Sequence, residues 1–484
     1  MEGGEKLQDL QTIKKLIKTA EDEFADFEKH AKTGFDYYNN KGRIKTTGAA
    51  GIDEVNAYLR LKGSNPLKSA DNRIGLNLHM IVVDQKIGYL FSDPPTFSVA
   101  KDSTGGDLLM TQVSQVLDAQ FSEVIKQIGT DAANTGRGWL AYWKDESGKL
   151  DYWYINPLTV LPIYDRSTPK RKLKYLIRRY SYTDDRGESV TRYEVWDDKE
   201  VAYLIKADNT PAIGFECLPD GQYNIVPHEY GRIPFIEFRN NAKAFYDLMM
   251  HKDIIDAMDK LVSGFCNDVD DLQEIIWVIK NYAGETSEVD YDKDGKEIEK
   301  KVDLLQMLKA KKWVAVDDKG GLDTVRGEIP HEARTKLFDL LYKQFWVAAM
   351  AVDPNPERIG NQSGEYMEFL YGLLEQKASL TETMFRTALD EFLQAIVKHI
   401  GMDVSVKFVQ TWKRTKPRND KEIIENISST PSNVMSDATK TKIHPYIEDA
   451  ESERKQIETE QQEKAQNLLD QYLPISPPKD GDES

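Results

Sequence analysis

The chain is poor in the residues that staple, coordinate or catalyse. Cysteine occurs only twice in 484 residues, at Cys217 and Cys266. The two lie far apart and lack CxxC or Cys/His spacing, which excludes a disulfide framework and a structural zinc site and fits a reducing compartment. Seven histidines are scattered, and no Ser/His/Asp arrangement can be read from their order. GxxxxGK[ST] and GxGxxG are both missing, so no phosphate-cradling loop is readable. Long apolar runs are missing as well. The best, residues 76–91, is interrupted by His79, Asp84, Gln85 and Lys86, and the start MEGGEKLQDLQ has no basic stretch leading into an apolar one. Neither a membrane span nor a secretion signal is expected. Positive charge is in deficit, with 64 basic against 81 acidic residues and a net charge of -17. That is the wrong sign for a protein that coats nucleic acid by neutralising phosphates, so any contact with DNA is expected to be local or non-adhesive.

What is present is enough chain for roughly three domains at about 150 residues each. With 40% hydrophobic and 30% charged residues and a mean hydropathy of -0.57, the composition suits an elongated, multi-lobed or oligomer-forming protein. Leu7, Leu10, Ile13, Ile17, Ala20, Phe24 and Phe27 recur at three- and four-residue steps, predicting an amphipathic helix over residues 5–30 whose narrow stripe needs a partner surface. Further helices are expected over residues 72–90, ending at Asp93-Pro94-Pro95, and over residues 108–133. The runs WLAYWK, LDYWYINP, KYLIRRYSY, TRYEVWD and EVAYLIK then predict one antiparallel sheet packed on the preceding helices.

After the short strand at residues 230–238 the period changes to that of a long helix, taken as continuous over residues 244–276. A second helix is expected over residues 332–352. Between them lies a small lobe with a strand at IIWVIKNY, a hairpin at residues 290–302, a helix at LLQMLKA and a strand at KWVAVD. Asp353-Pro354-Asn355-Pro356 breaks the second helix, and GNQSGE opens a third. Its predicted stripe is Tyr366, Leu370, Leu373, Lys377, Leu380, Met384, Ala388, Phe392, Ile396 and His399, up to Gly401. A strand at VSVKFVQTWK, an acidic helical part including residues 448–464, and a tail of disordered composition follow.

Several motifs fail on chemistry. Asp290-x-Asp292-x-Asp294-Gly295 begins like a calcium loop, but Lys301 stands where the bidentate glutamate belongs. It reads instead as a charged hairpin tip. His331-Glu332 begins like HExxH, yet Thr335 takes the second histidine position. The acidic run at residues 267–271 has the carboxylates of a two-metal nuclease, but on one helix they point around different faces. Trp139, Tyr142, Trp143, Tyr152, Trp153 and Tyr154 have the makings of a base-stacking platform, although alternating aromatics in a sheet are mostly core. No catalytic residue, metal site or cofactor is assigned.

The succession NLHMIVVDQKIGYLFSDPPTF, YGRIPFIEFRNN, DIIDAMDKLVSGFCNDVDDLQEIIWVIK and GNQSGEYMEFLYGLLEQKA, followed by a strand and KPRNDKEIIENI, resembles the portal (head-to-tail connector) proteins of tailed double-stranded DNA bacteriophages, siphophage type. The likeness covers about residues 40–465. It implies an α+β, mainly helical fold with wing, stem, clip and crown regions in a ring around an axial channel. The implied regions are a wing (1–242 and 365–415), stem helices (243–276 and 329–352), a clip (277–328), a tunnel loop (353–364), a crown (416–472) and a disordered tail (473–484). The tunnel loop would turn Asn355, Arg358, Asn361 and Gln362 toward DNA and hinge on Pro354, Pro356, Gly360 and Gly364. The clip would use Tyr282, Asp292, Asp294 and Trp313 to meet the terminase and later a head-completion adaptor.

The resemblance also implies a homo-oligomer of 12 subunits at one capsid vertex, assembled in the bacterial host cytoplasm. Double-stranded DNA would pass through it without sequence specificity, and its other partners would be the major capsid and scaffolding proteins, with no membrane. The protein would not be an enzyme, since packaging ATP hydrolysis belongs to the terminase. Two alternatives stand beside this reading: a metal-dependent nuclease or hydrolase using residues 268–271, and an acidic scaffold binding a partner through residues 448–484.

Overall fold

The computed structural model describes residues 9–47, 70–99, 106–167, 169, 171–184, 187–207, 212–216, 224–272, 276–280, 286–291, 297–302, 321–325, 330–355, 364–401, 406–414, 420–447 and 449–472. Chain contacts divide it into a larger unit, residues 1–352 with 373–415, and a smaller one, residues 353–372 with 416–484.

In the larger unit, helix α1 (Leu10–Tyr38) is capped by Asp9, whose carboxylate accepts the Thr12 amide hydrogen. Its stripe of Ile13, Ile17, Ala20 and Phe24 is buried against Leu161, Ile177, Tyr193, Val195 and Leu204. The partner surface that the stripe demanded is therefore the sheet that follows later in the chain. After the short α2 (Arg43–Thr47) comes α3 (Leu78–Leu90), which starts six residues later than the periodicity predicts. The reason lies on another helix. The amides of Asn72, Ile74 and Leu76 donate to Asn267 Oδ1 (2.6 Å), Ser263 Oγ (2.9 Å) and Asp259 Oδ1 (3.0 Å). Three side chains at four-residue steps thus serve alternate amides as a strand edge would, and hold this segment extended.

Strand β1 (Thr96–Val99) is followed by α4 (Gly106–Val116) and α5 (Gln120–Thr135). The single helix expected over residues 108–133 is interrupted because Asp118 accepts the Gln120 amide hydrogen, a local alternative to helix. Gly136, with φ of 90°, ends α5 and turns the chain into β2 (Arg137–Lys144).

β3 (Leu150–Ile155) pairs with β2, then Asn156-Pro157 starts a 3-10 turn that delivers the chain to a different sheet. That sheet contains β4 (Val160–Tyr164), β5 (Leu173–Thr183), β6 (Ser189–Trp196), β7 (Glu200–Ala207) and β8 (Gly214–Phe215), in that order and all antiparallel, with β9 (Ile225–Pro227) also on β7. β10 (Phe235–Arg239) returns to pair with β2. The expected single sheet is thus two, and β4 lies outside the runs that patterning picks out. Of the aromatic run, Trp139, Tyr142 and Tyr152 are core, with Tyr152 against Phe392, while Trp143 is exposed.

The helix expected over residues 244–276 is not continuous. A 3-10 turn, Asp247–Met250, precedes α6 (Lys252–Leu272), and Ile276 already belongs to β11 (Ile276–Lys280). α6 is about 30 Å long at 1.5 Å per residue. The lobe that follows contains the hairpin β12 (Thr286–Tyr291) with β13 (Glu297–Val302), and β14 (Gly321–Val325) pairs with β11. The expected helix LLQMLKA and strand KWVAVD lie outside the described residues.

Helix α7 (His331–Ala349) runs antiparallel to α6: Arg334 near its start pairs with Asp268, and Phe345 near its end stacks edge-on against His251. α8 (Gly364–Ile400) buries Leu374, Ala378, Phe385, Leu389, Phe392, Leu393 and Ile396. Leu373 and Leu380, placed on the core stripe by periodicity, are exposed at 39% and 59%. β15 (Phe408–Thr411) closes the unit by pairing with β1.

The smaller unit contains α9 (Asp420–Ser429), α10 (Asp437–Ile443), capped by Ser436, and α11 (Ala450–Tyr472). From residue 451 to 467 α11 buries nothing. No described helix is long and apolar enough to cross a membrane.

Candidate functional site

The loop after α7 has a well-defined root. α7 ends at Met350, which adopts the left-handed conformation (φ 51°) while the Ala351 amide donates back to the Trp346 carbonyl. Ala351 and Val352 are buried. The Gln85 side chain clamps Val352 from both sides: Nε2 donates to the Val352 carbonyl (2.9 Å) and Oε1 accepts its amide hydrogen (2.8 Å). Lys377 donates to the Ala349 carbonyl at 3.0 Å, placing a cation at the negative end of the helix dipole. Beyond the root, the Asn355 amide donates to Asp353 Oδ1 at 3.0 Å, an Asx turn around Pro354. Pro356, Arg358, Gly360, Asn361 and Gln362 lie outside the described residues, and Gly364 opens α8. Tyr282, Asp292, Asp294 and Trp313 lie outside them too.

Behind the root sits a buried polar hub that sequence reading missed. Asp247, in the 3-10 turn before α6, faces Lys86 of α3 at 3.3 Å and Lys377 of α8 at 3.1 Å. Asn240, just after β10, accepts from Lys86 (2.5 Å) and donates to Asp247 (2.7 Å), and Thr381 donates to the Asn240 carbonyl (2.9 Å). Burial pushes the Asp247 carboxyl up, but the two ammonium groups and the Asn240 hydrogen bond outweigh it and hold the group well below the usual carboxylate range. Burial pulls the Lys86 ammonium down to about 8, against the opposing pull of Asp247. A buried charge left unpaired costs about 3–5 kcal/mol, so the hub ties α3, β10, the start of α6 and α8 into one arrangement.

Next to it, His79 and His251 share a hydrogen bond (3.0 Å), and the other ring nitrogen of His79 meets Asn134 Oδ1 (3.0 Å). Since that oxygen only accepts, His79 Nε2 carries the proton and Nδ1 receives the His251 Nε2 proton. Burial drives His79 down to about 4 and His251 well below its ordinary value, so both rings are neutral at pH 7.

The signals were present in the sequence. His79, Gln85 and Lys86 interrupt the most apolar run, and Lys377 sits in an otherwise apolar stripe. As interruptions they exclude a membrane span; their partners lie on other elements, from 28 to 267 residues away.

The acidic run is occupied by structural work. Asn267 accepts from the Asn72 amide, Asp268 pairs with Arg334, and Asp270 accepts from Asn72 Nδ2. No group of three or more metal-ligating side chains is found among the described residues. Asp290 lies in β12 opposite Ile298, within a paired hairpin.

Residues 5–467 match the family described as Phage portal protein, SPP1 Gp6-like. The portal protein of Clostridium phage phiCD119 is 32% identical over 456 residues, covering 90% of this chain and 93% of that one. The portal protein of Bacillus phage SPP1 is 29% identical over 422 residues, covering 83% and 79%. A solved structure, the neck of a native GTA particle computed with C12 symmetry, covers 82% of this chain and 94% of its own at 10% identity and a TM-score of 0.36, too distant to bear on the fold. The match across nearly the whole length makes the chain a member of the SPP1 Gp6-like phage portal protein family.

Proposed function

We propose that the chain is the subunit of a closed ring of 12 copies at one capsid vertex. Through it the terminase drives double-stranded DNA during packaging, and to it head-completion proteins attach before ejection. The family match over residues 5–467 carries this reading. The antiparallel pair α6 and α7, with a small β lobe inserted between them, supports its parts. In this reading the pair is the stem, residues 277–328 the clip facing terminase and adaptor through Tyr282, Asp292, Asp294 and Trp313, residues 353–364 the tunnel loop, and residues 416–472 the crown. The remaining body and α8 form the wing.

A closed ring is a heterologous assembly, so each subunit presents two different faces to its neighbours. With a net charge of -17 per chain, the bore repels phosphates on average and lets DNA slide. The protein supplies the conduit, and ATP hydrolysis stays with the terminase. Its place is the virion, after assembly in the host cytoplasm with capsid and scaffolding proteins.

Negative-stain electron microscopy of the purified full-length chain, alone and with capsid components, tests the proposal. Ring particles with a central hole wide enough for a duplex are expected. Monomers or dimers under both conditions would overturn it and return the acidic-scaffold reading.

A further inference from the structure

Buried polar atoms need hydrogen-bond partners, and the His79–His251 pair meets that need in one proton arrangement only. Asn134 Nδ2 donates to the Thr130 carbonyl (2.9 Å), which fixes its Oδ1 as the acceptor for His79 Nε2. His79 Nδ1 is then left to accept from His251 Nε2, while His251 Nδ1 is buried with no hydrogen-bond partner among the described residues. Donation therefore runs one way, from the residue that precedes α6, through α3, to α5. A further proton breaks this order. On His79 Nδ1 it would face the His251 Nε2 proton across 3.0 Å, unless His251 shifted its own proton to Nδ1, where nothing described receives it. On His251 Nδ1 it would bury a charge without an acceptor.

The surroundings do not absorb that charge. Asp247 of the 3-10 turn favours an imidazolium and Lys377 of α8 opposes it. Asp247 is already shared by two ammonium groups, those of Lys86 and Lys377. α5 presents the neutral Asn134, and α7 presents the Phe345 ring, edge-on to His251.

We propose that the histidine pair is an acid-released latch: with one proton between its rings it holds the start of α6 to α3 and α5, and a further proton parts the rings and frees that end of the helix. The latch rests on geometry within the larger unit and not on the ring reading. Burial holds His79 down to about 4 in the closed state, whereas a parted, hydrated ring returns toward 6.5. Opening thus takes up a proton and is favoured as pH falls from about 6.5 to 4.

Amide-resolved hydrogen exchange on the full-length protein at pH 7 and pH 5 tests this, with the β5, β6 and β7 amides of the same sample as reference for the change in intrinsic rate. Protection at Ile255, whose amide donates to the His251 carbonyl, and at Met258 is expected to fall relative to that reference by about tenfold or more. Asp259, about two turns along α6, is pushed up to about 6 by burial and acts in the opposite sense, so a variant completes the comparison. In His251→Gln the side-chain amide donates to His79 Nδ1 at pH 7 and turns its oxygen to accept once His79 is protonated, so the fall should shrink to about threefold or less. If that variant loses β5–β7 protection at pH 7, His79→Gln replaces it. That change removes the acceptor of the His251 proton, so Ile255 should exchange faster than in wild type at pH 7 and lose no further relative protection at pH 5. Unchanged relative protection of Ile255 and Met258 in the wild type, an equally steep fall in His251→Gln, or wild-type protection of Ile255 in His79→Gln would overturn the latch.

Discussion

Asp131 on α5 is buried at 4% exposure, and its carboxyl accepts a hydrogen bond from Gln127. Burial pushes its carboxyl up to about 7, the Gln127 bond pulling the other way. A carboxyl with a raised folded-state pKa keeps its proton while the unfolded chain has already lost one, so stability falls as pH rises from about 4 to about 7. Asp131→Asn should remove that slope. Calorimetry at one protein concentration is expected to show the variant more stable than wild type at pH 8, by about 2 kcal/mol, and no more stable at pH 4. An equal gain at both values would show that the carboxyl does not titrate in this window. His79 acts in the opposite sense. Its folded pKa is lowered to about 4, so its contribution is lost as pH falls from about 6.5 to 4. At this scale the sequence was least readable: a lysine or histidine inside an apolar run announces that something is paired, but the partners of Lys86 and His79 come from distant elements.

Among the elements, α1 shows what patterning can and cannot give. Its stripe was legible because a 3.6-residue period needs only local sequence. Its partner sheet was not, since it begins more than 120 residues later. Residues 72–77 show the opposite failure: apolar and amide residues at helical spacing stay extended because Asp259, Ser263 and Asn267 satisfy alternate amides. Of the stripe expected on α8, Lys377, Ala388, Phe392 and Ile396 are buried as placed, whereas Leu373 and Leu380 face outward and Leu374 and Thr381, one position on, face inward.

The contact of α1 with α5 rests on Gly34, where a Cβ would come within 1.9 Å of the Asn134 carbonyl oxygen. Gly34→Ala must part the two helices, and a loss of about 3 kcal/mol is expected in denaturant unfolding. Gly88→Ala is the control. Its Cβ meets nothing within 4 Å, so better helix propensity should leave stability equal or raise it by up to about 1 kcal/mol. Equal losses in both variants would contradict a close crossing.

For the molecule as a whole, composition gave only an acidic, hydrophilic chain of several lobes. The order of its weak motifs did more, because two long helices around a small insert, followed by a Pro- and Gly-rich connector, are a layout that resembles a portal subunit. The family match over residues 5–467 agrees with that reading. The roles proposed for Arg358 and Trp313 rest on resemblance alone, because no local period or charge pattern says which side chains of a loop face a channel. The proposed closed ring of 12 chains is tested most directly by the mass of the assembled particle in native mass spectrometry, with capsid components added and then removed if assembly needs them. One dominant species at twelve times the 55.3 kDa chain mass is expected, with at most neighbouring ring numbers beside it. A particle of one or two chains, or an open-ended ladder of masses with no closed species, would contradict it.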